Sequence, residues 1–324
     1  MHATAFWVDG PSQGSLREVA LSDPAPGDAV VRTLVTGISR GTESIVFRGE
    51  VPAGERDRMR APFQDGELPG PVAYGYLNVG VVESGPAELA GRTVFTLFPH
   101  QSVFVVPGSA VSVVPDGVPT RRAVLAGAVE TAVNILWDAA PLVGDRVSVV
   151  GAGMIGCAVA RLAAGIPGAD VELVDIDPSK AAVAEGLGVA FAAPDTAARD
   201  RDLVIHTSAS GDGLQLALDL ATTEGEVIEA SWFGDRPVSV HLGGAFHSRR
   251  LTVRSSQVGM VAPRRRGSRS THDRLALALD LLRDPAFDQL LTGESSWRDL
   301  PAVMAAIADG SAPGLCHTID WSDA

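Results

Sequence analysis

From residue 146 onward the chain alternates between short, almost wholly apolar runs and stretches with helical spacing. Arg146–Val150, Asp170–Val174, Leu203–His206, Val227–Ala230 and Leu251–Arg254 predict buried strands. Met154–Ala164, Pro178–Leu187 and Leu214–Ala221 predict the helices between them, the second opening on a proline that suits a first helical turn. This alternation predicts a parallel sheet covered on both faces, and so an α/β fold. Up to about residue 118 the pattern differs. Ala29–Val35, Gly80–Glu83, Arg92–Leu97 and Ser102–Val106 are β-type runs bounded by Gly and Pro, as in an antiparallel β unit with long loops. Arg121–Ala139 carries a helical pattern stopped by Pro141 and Gly144. After residue 260 come a basic loop, helices at His272–Arg283 and Leu300–Ala308, and a last strand at Leu315–Trp321.

Length and composition sharpen this picture. The 324 residues, at roughly 150 per domain, suggest about two domains. Hydrophobic residues make up 46%, enough for sizeable cores. The net charge of -13 opposes binding to nucleic acid or to an anionic membrane surface. Two cysteines, Cys157 and Cys316, cannot build a disulfide framework or a four-cysteine zinc lobe. Met1–Gly10 lacks the features of a signal peptide, and no window has the unbroken apolar length of a membrane helix. The expectation is a cytoplasmic protein acting on a small molecule.

One motif carries chemistry. The predicted strand ending at Val150 runs straight into Gly151-Ala-Gly-Met-Ile-Gly156 and then into a helix. In that context the first glycine makes the tight turn and Gly153 admits a pyrophosphate to the backbone. Gly156 lets the helix pack close, while Met154 and Ile155 open a helix whose free N–H groups face the anion. Asp175, nineteen residues past Gly156 at the end of the next strand, can accept hydrogen bonds from a ribose and would repel a 2′-phosphate. With Ile176 it forms the expected ribose end of the site, favouring NAD(H) over NADP(H). Asp175 can equally cap the helix near Pro178, although Asp177 is better placed for that. Ser208 and Ala209, just past the strand Leu203–His206, are expected to meet the cofactor through their backbone.

Pro26-Gly-Asp-Ala-Val-Val-Arg32, Gly37-Ile-Ser-Arg-Gly-Thr-Glu43, Gly75-Tyr-Leu-Asn-Val-Gly80 and Gly91-Arg-Thr-Val-Phe95 stand in this order. Ala126-Gly-Ala-Val-Glu-Thr-Ala132, Gly144-Asp-Arg-Val147 and the Gly151 motif continue the series. Over essentially its whole length the chain resembles the medium-chain dehydrogenase/reductase superfamily. The resemblance implies a GroES-like β-rich catalytic domain at 1–118 and 260–324, a Rossmann domain at 119–259, and a homodimer. The zinc alcohol dehydrogenases of that superfamily have a cysteine where this chain has Arg40, a His-Glu pair at Tyr76 and Leu77, and a cysteine at Gly127. No zinc is therefore expected. The variant motif is similar to that of the bacteriochlorophyllide hydroxyethyl dehydrogenases.

Without a metal, another group must stabilise the oxygen of a ketone and give it a proton. The resemblance suggests Arg40 as electrostatic stabiliser, Tyr76 as acid/base with its pKa lowered by a nearby cation, and Thr42 as proton relay. Arg40 can instead pair with Glu43, and Tyr76 can instead be a core aromatic beside Tyr74. Thr131 matches a family contact to the nicotinamide. Glu130 is a further catalytic candidate; with Asn134, one helical turn away, it can bind substrate, or it can simply favour a helix N-terminus. Phe98 and His100 fall at the family's substrate wall, where His100 can also be structural, and Trp232 is a candidate flank for adenine or substrate. The activity implied is zinc-independent, NAD(P)-dependent interconversion of a secondary alcohol and a ketone on a small polar metabolite. Alternatives are an NADPH-dependent ene or quinone reductase and a cofactor-binding homologue without catalysis.

Overall fold

A computed structural model describes residues 1–324, which divide into two units. One comprises Met1–Gly127, Leu279–Arg283 and Leu291–Ala324, and the other Ala128–Ala278 with Asp284–Leu290.

The first unit is built on the antiparallel β-pattern of the N-terminal region. Its central strand, Asp28–Ile38, pairs antiparallel with Asn78–Ser84, Val103–Pro107 and the C-terminal strand Cys316–Asp320. The last pairing brings the end of the chain back into the N-terminal sheet. A hairpin, His2–Gly10 with Gln13–Ala20, belongs to a second, four-stranded sheet. That hairpin is absent from the sequence reading, and so are two further elements of this unit that bear on the site. Strand Leu291–Ser296, exposed at alternate positions, runs parallel to Cys316–Asp320. Helix Arg40–Phe47 follows the central strand. Its Gly and hydroxyl residues hide it from a periodicity test, but Ile45, Val46 and Phe47 are buried. The Glu43 carboxylate accepts from the backbone N–H of Ser39 (2.7 Å), satisfying one free donor at the helix start.

The second unit is a six-stranded parallel sheet. In order across the sheet come Ala190–Ala192, Asp170–Val174, Arg146–Val150, Arg201–His206, Ala221–Glu229 and Thr252–Ser255. This is the doubly wound order of dinucleotide-binding sheets, with its switch point between Arg146–Val150 and Arg201–His206. Val147, Val149, Leu173, Val204, Ile205, Val227 and Ile228 are buried, as strands covered on both faces require. The unit continues past residue 259 because Arg274, on helix Thr271–Leu281, is tied to Glu130 and Asn134.

Candidate active site

In the first unit the strand-to-helix turn at Ile38–Arg40 gathers the polar side chains. Glu43 and His100 are both buried, and His100 Nε2 lies 2.9 Å from the Glu43 carboxylate. The other imidazole nitrogen, Nδ1, is 2.7 Å from Thr36 Oγ1, which also accepts from Trp321 Nε1 (3.0 Å). The Glu43 carboxylate only accepts, so Nε2 carries the proton and donates to it; Nδ1 of the neutral ring then accepts from Thr36, whose oxygen accepts from Trp321. Gly75 makes this packing possible. It has φ +132°, and a Cβ there would lie 2.9 Å from the His100 ring. His100 is thus a core partner of Glu43 and not a substrate wall, because both its nitrogens are used internally.

Tyr76, half-buried, donates to Ser39 Oγ (2.7 Å), and the Thr42 hydroxyl also bonds to it. Burial pushes this phenol up to about 12; the Glu43 carboxylate adds to the rise, and the Ser39 and Thr42 hydroxyls oppose it. This corrects the expectation of a phenol lowered by a cation. Arg40 points elsewhere, donating from Nη2 to the Ala312 carbonyl (2.6 Å). It does not pair with Glu43, whose oxygens are taken by Ser39 and His100. Phe98 stacks on Phe104 (centroids 4.0 Å apart) and lines an aromatic cavity with Trp7 and Phe63 that Tyr76 does not reach.

The chain has two tyrosines, and burial also raises Tyr74 well above the usual phenol range. Both folded phenols keep their protons at pH 10, where an unfolded tyrosine is half ionised. Their contribution to stability is complete below about pH 10 and is lost as pH climbs towards 12. An alkaline titration of tyrosinate absorbance is expected to show no ionisation at pH 10 while the fold persists. A midpoint near 10 in folded protein would contradict this placement.

In the second unit the loop after Arg146–Val150 is shaped for an anion. Gly151 has φ +108°, and a Cβ on it would stand 2.6 Å from the Ser208 nitrogen. At Gly156 a Cβ would meet the Gly151 carbonyl oxygen at 1.9 Å, so only glycine lets the helix approach. At exposed Gly153 a Cβ would meet nothing within 4 Å, which leaves the backbone open to a ligand. Gly153 is the N-cap of helix Met154–Ala164 and no side chain caps it, so free N–H groups stand at the positive end of the helix. Met154 is itself buried and Ile155 half-buried.

Asp175 accepts from the backbone N–H groups of Ala152 (2.6 Å) and Asp177 (2.9 Å), one on each oxygen. It braces the loop, yet each carboxylate oxygen keeps a lone pair for a ribose hydroxyl. The neighbouring Ile176 is 88% exposed, an apolar surface beside the carboxylate. Asp175→Ala is expected to weaken NADH binding by about tenfold or more, roughly 1.4 kcal/mol, and NADPH binding by less. Equal losses in a fluorescence titration would reduce Asp175 to a brace.

Other candidates are placed differently. Glu130 and Asn134 lie on one face of helix Ala126–Ala139, as their spacing predicts, but both are buried beneath Arg274. Arg274 Nε donates to Glu130 (3.0 Å) and Nη1 to Asn134 (2.6 Å), while Asn134 also accepts from the Ala262 N–H. Burial raises the Glu130 carboxyl and Arg274 pulls it back down. These two residues are interior scaffold and not a substrate site, because their polar atoms are already bonded. Thr131 is half-buried on the same helix, and Trp232 lies half-buried past strand Ala221–Glu229. Ala209, at φ +51°, gives its N–H to Ser231 Oγ (3.1 Å). Ser39 lies within the Gly37–Glu43 motif but was given no role there, and Arg274 stands in no motif; their side-chain partners Tyr76 and Glu130 lie 37 and 144 positions away.

No family model matches the chain. Over 124 residues it is 36% identical to 2-desacetyl-2-hydroxyethyl bacteriochlorophyllide A dehydrogenase of Cereibacter sphaeroides. That stretch takes in 37% of this chain and 32% of that relative, so the match spans about a third of the relative's length. Among solved structures the fold is similar to L-idonate 5-dehydrogenase from Escherichia coli, with a TM-score of 0.81 and 15% identity over 99% of this chain and 98% of that one. It is also similar to acetophenone reductase from Geotrichum candidum in complex with NAD, at a TM-score of 0.77 and 17% identity over 100% and 98%. The chain shares the fold of these two proteins over almost its whole length.

The positions that the sequence resemblance assigns to zinc ligands are placed as follows. Arg40 is bound to a carbonyl, Tyr76 presents a protonated phenol, and Gly127 has no side chain. A Cβ at Gly127 would stand 2.5 Å from Leu77 Cδ2, so the third ligand position is filled by a leucine. Cys157 and Cys316 are buried thiols, each pushed up to about 12 by burial, far from the thiolate form that binds metal. This donor set does not fit a catalytic zinc ion. No helix is long and apolar enough to cross a membrane.

Proposed function

We propose that this chain is a zinc-independent, NAD(P)-dependent oxidoreductase that interconverts a secondary alcohol and a ketone on a small polar metabolite, using NAD(H) in preference to NADP(H). The observation that carries the reading is Tyr76, hydrogen-bonded to Ser39 and Thr42 in the region where metal dehydrogenases of this fold hold their ligands. Bound, the nicotinamide supplies or accepts a hydride. The chain's own residues supply the rest. The Gly151–Gly156 loop and the helix N-terminus hold the pyrophosphate, and Asp175 holds a ribose while repelling a 2′-phosphate. The phenol, neutral at any working pH, turns its single proton from Ser39 to a carbonyl oxygen, while the Ser39 and Thr42 hydroxyls donate to the phenol oxygen. It passes its proton on as that oxygen becomes an alkoxide, a stronger base than a phenolate. Ser39 and Thr42 then return a proton to the phenolate or take the excess one in the oxidation direction.

Two names among the similar proteins share a functional group, since a hydroxyethyl group on an aromatic ring is the reduced form of an aryl methyl ketone such as acetophenone. Acetophenone and 1-phenylethanol are therefore the first probes, beside a cyclitol and a sugar acid. Elemental analysis of purified protein is expected to find well under one zinc per chain, with turnover unaffected by a chelator. Stoichiometric zinc, or loss of turnover on chelation, would overturn the metal-free reading.

A further inference from the structure

The ends of two neighbouring strands in the second unit carry an array that cofactor binding does not require. His206 and Glu229 are register partners at the ends of strands Arg201–His206 and Ala221–Glu229, so their side chains leave the sheet on one face. His206 is fully buried; its Nδ1 lies 2.7 Å from Glu229 Oε2 and its Nε2 lies 2.6 Å from Ser208 Oγ. Glu229 Oε1 is fixed by the Ser231 backbone N–H at 2.7 Å. The carboxylate only accepts, so the imidazole proton sits on Nδ1 and Nε2 must take the Ser208 proton. Ser210 accepts from the Gly213 N–H (3.0 Å), which leaves its own proton for Ser208 Oγ at 2.9 Å. Every group is satisfied with one polarity: an exposed serine hydroxyl aimed at a buried imidazole, itself oriented by a carboxylate. That is the geometry of a serine nucleophile with its general base. Negative charge near Ser208 is also favoured. It begins the turn into helix Gly211–Leu220, and its backbone abuts Gly151 at the start of the uncapped helix Met154–Ala164.

We propose that Ser208 is the nucleophile of a second catalytic site, which hydrolyses small carboxylic esters through an acyl-serine. In the first step Ser208 Oγ bonds to the ester carbonyl carbon, its proton moves to His206 Nε2, and the ester C–O bond breaks. The leaving alkoxide takes that proton and departs as the alcohol. In the second step His206 draws a proton from water, whose oxygen attacks the acyl carbon, and Ser208 regains its proton as the acid leaves.

The test uses the full chain and a fluorophosphonate probe, with p-nitrophenyl acetate as ester. The expected result is a phosphonylated peptide bearing Ser208, no label at that peptide in Ser208→Ala, and labelling slowed about 100-fold or more in His206→Gln and in Glu229→Gln. Unlabelled Ser208 in wild-type protein would overturn the proposal, as would wild-type labelling rates in a folded His206→Gln or Glu229→Gln variant. Because Ser208 abuts Gly151, saturating NADH is expected to block labelling; this arm rests on the dinucleotide reading, whereas labelling without NADH does not. Labelling unchanged by NADH, in protein that binds NADH, would overturn a shared crevice.

Discussion

Replacing Tyr76 with phenylalanine is expected to lower kcat by about 10²–10⁴-fold, the usual worth of a positioned proton donor. NADH affinity should stay unchanged. The ring is retained and only the hydroxyl bonded to Ser39 and Thr42 is lost. For a partly exposed group this costs about 1 kcal/mol of stability, too little to unfold the protein. The rate is read with the best substrate of the secondary alcohol and ketone panel, with Kd for NADH measured in parallel. Loss of rate with binding intact assigns the phenol to the chemical step. Unchanged turnover would leave Tyr76 as a packing residue and transfer the proton to Thr42 or to solvent. A matched loss of kcat and of NADH affinity would mean that the substitution had disturbed the fold.

Arg274→Ala is expected to destabilise the second unit by about 3–5 kcal/mol, the typical penalty when one partner of a buried ion pair is removed. Arg274 is 2% exposed and also holds the Asn134 side chain and the Val258 carbonyl, so the truncation orphans several buried polar groups. The pH dependence follows from Glu130, whose carboxyl is already raised by burial and is held down only by Arg274. Without that guanidinium its folded-state pKa rises further above the unfolded value. The folded variant then binds a proton more readily than the unfolded chain, and its stability recovers as pH falls. Urea unfolding of Arg274→Ala should therefore show a smaller deficit at pH 5 than at pH 8. Glu130→Gln, which keeps an acceptor and removes the charge, is expected to cost less than Arg274→Ala. If Glu130 were a catalytic base, Glu130→Gln would abolish turnover in a stable protein, the reverse of what its burial implies.

These variants mark where the sequence was legible. Arg146–Val150, Met154–Ala164 and Asp170–Val174 fall where their patterns place them, because buried parallel strands and the helices between them write an unbroken periodic signal. The Gly151 loop was legible because each of its glycines answers a local steric demand. Tyr76 and Thr42 were brought together as expected, but their setting was not. Whether a phenol is raised or lowered depends on what surrounds it: burial raises Tyr76 most, and the Glu43 carboxylate that adds to the rise is held by His100, distant in sequence. Glu130 and Asn134 show the same gap. Their helical spacing identified a shared face but carried no information on whether that face met solvent or Arg274, 144 positions from Glu130. Strand Leu291–Ser296 escaped because its alternate positions are exposed and its pairing partner lies in the C-terminal segment.

The second unit is expected to bind a nicotinamide dinucleotide and to select it through Asp175. The most direct test is a parallel titration of the purified chain with NADH and NADPH, following quenching of its five tryptophans. The prediction is saturable binding of both, with NADH the tighter by about tenfold or more. Tighter binding of NADPH would contradict the role of Asp175, and binding of neither would contradict the oxidoreductase assignment itself.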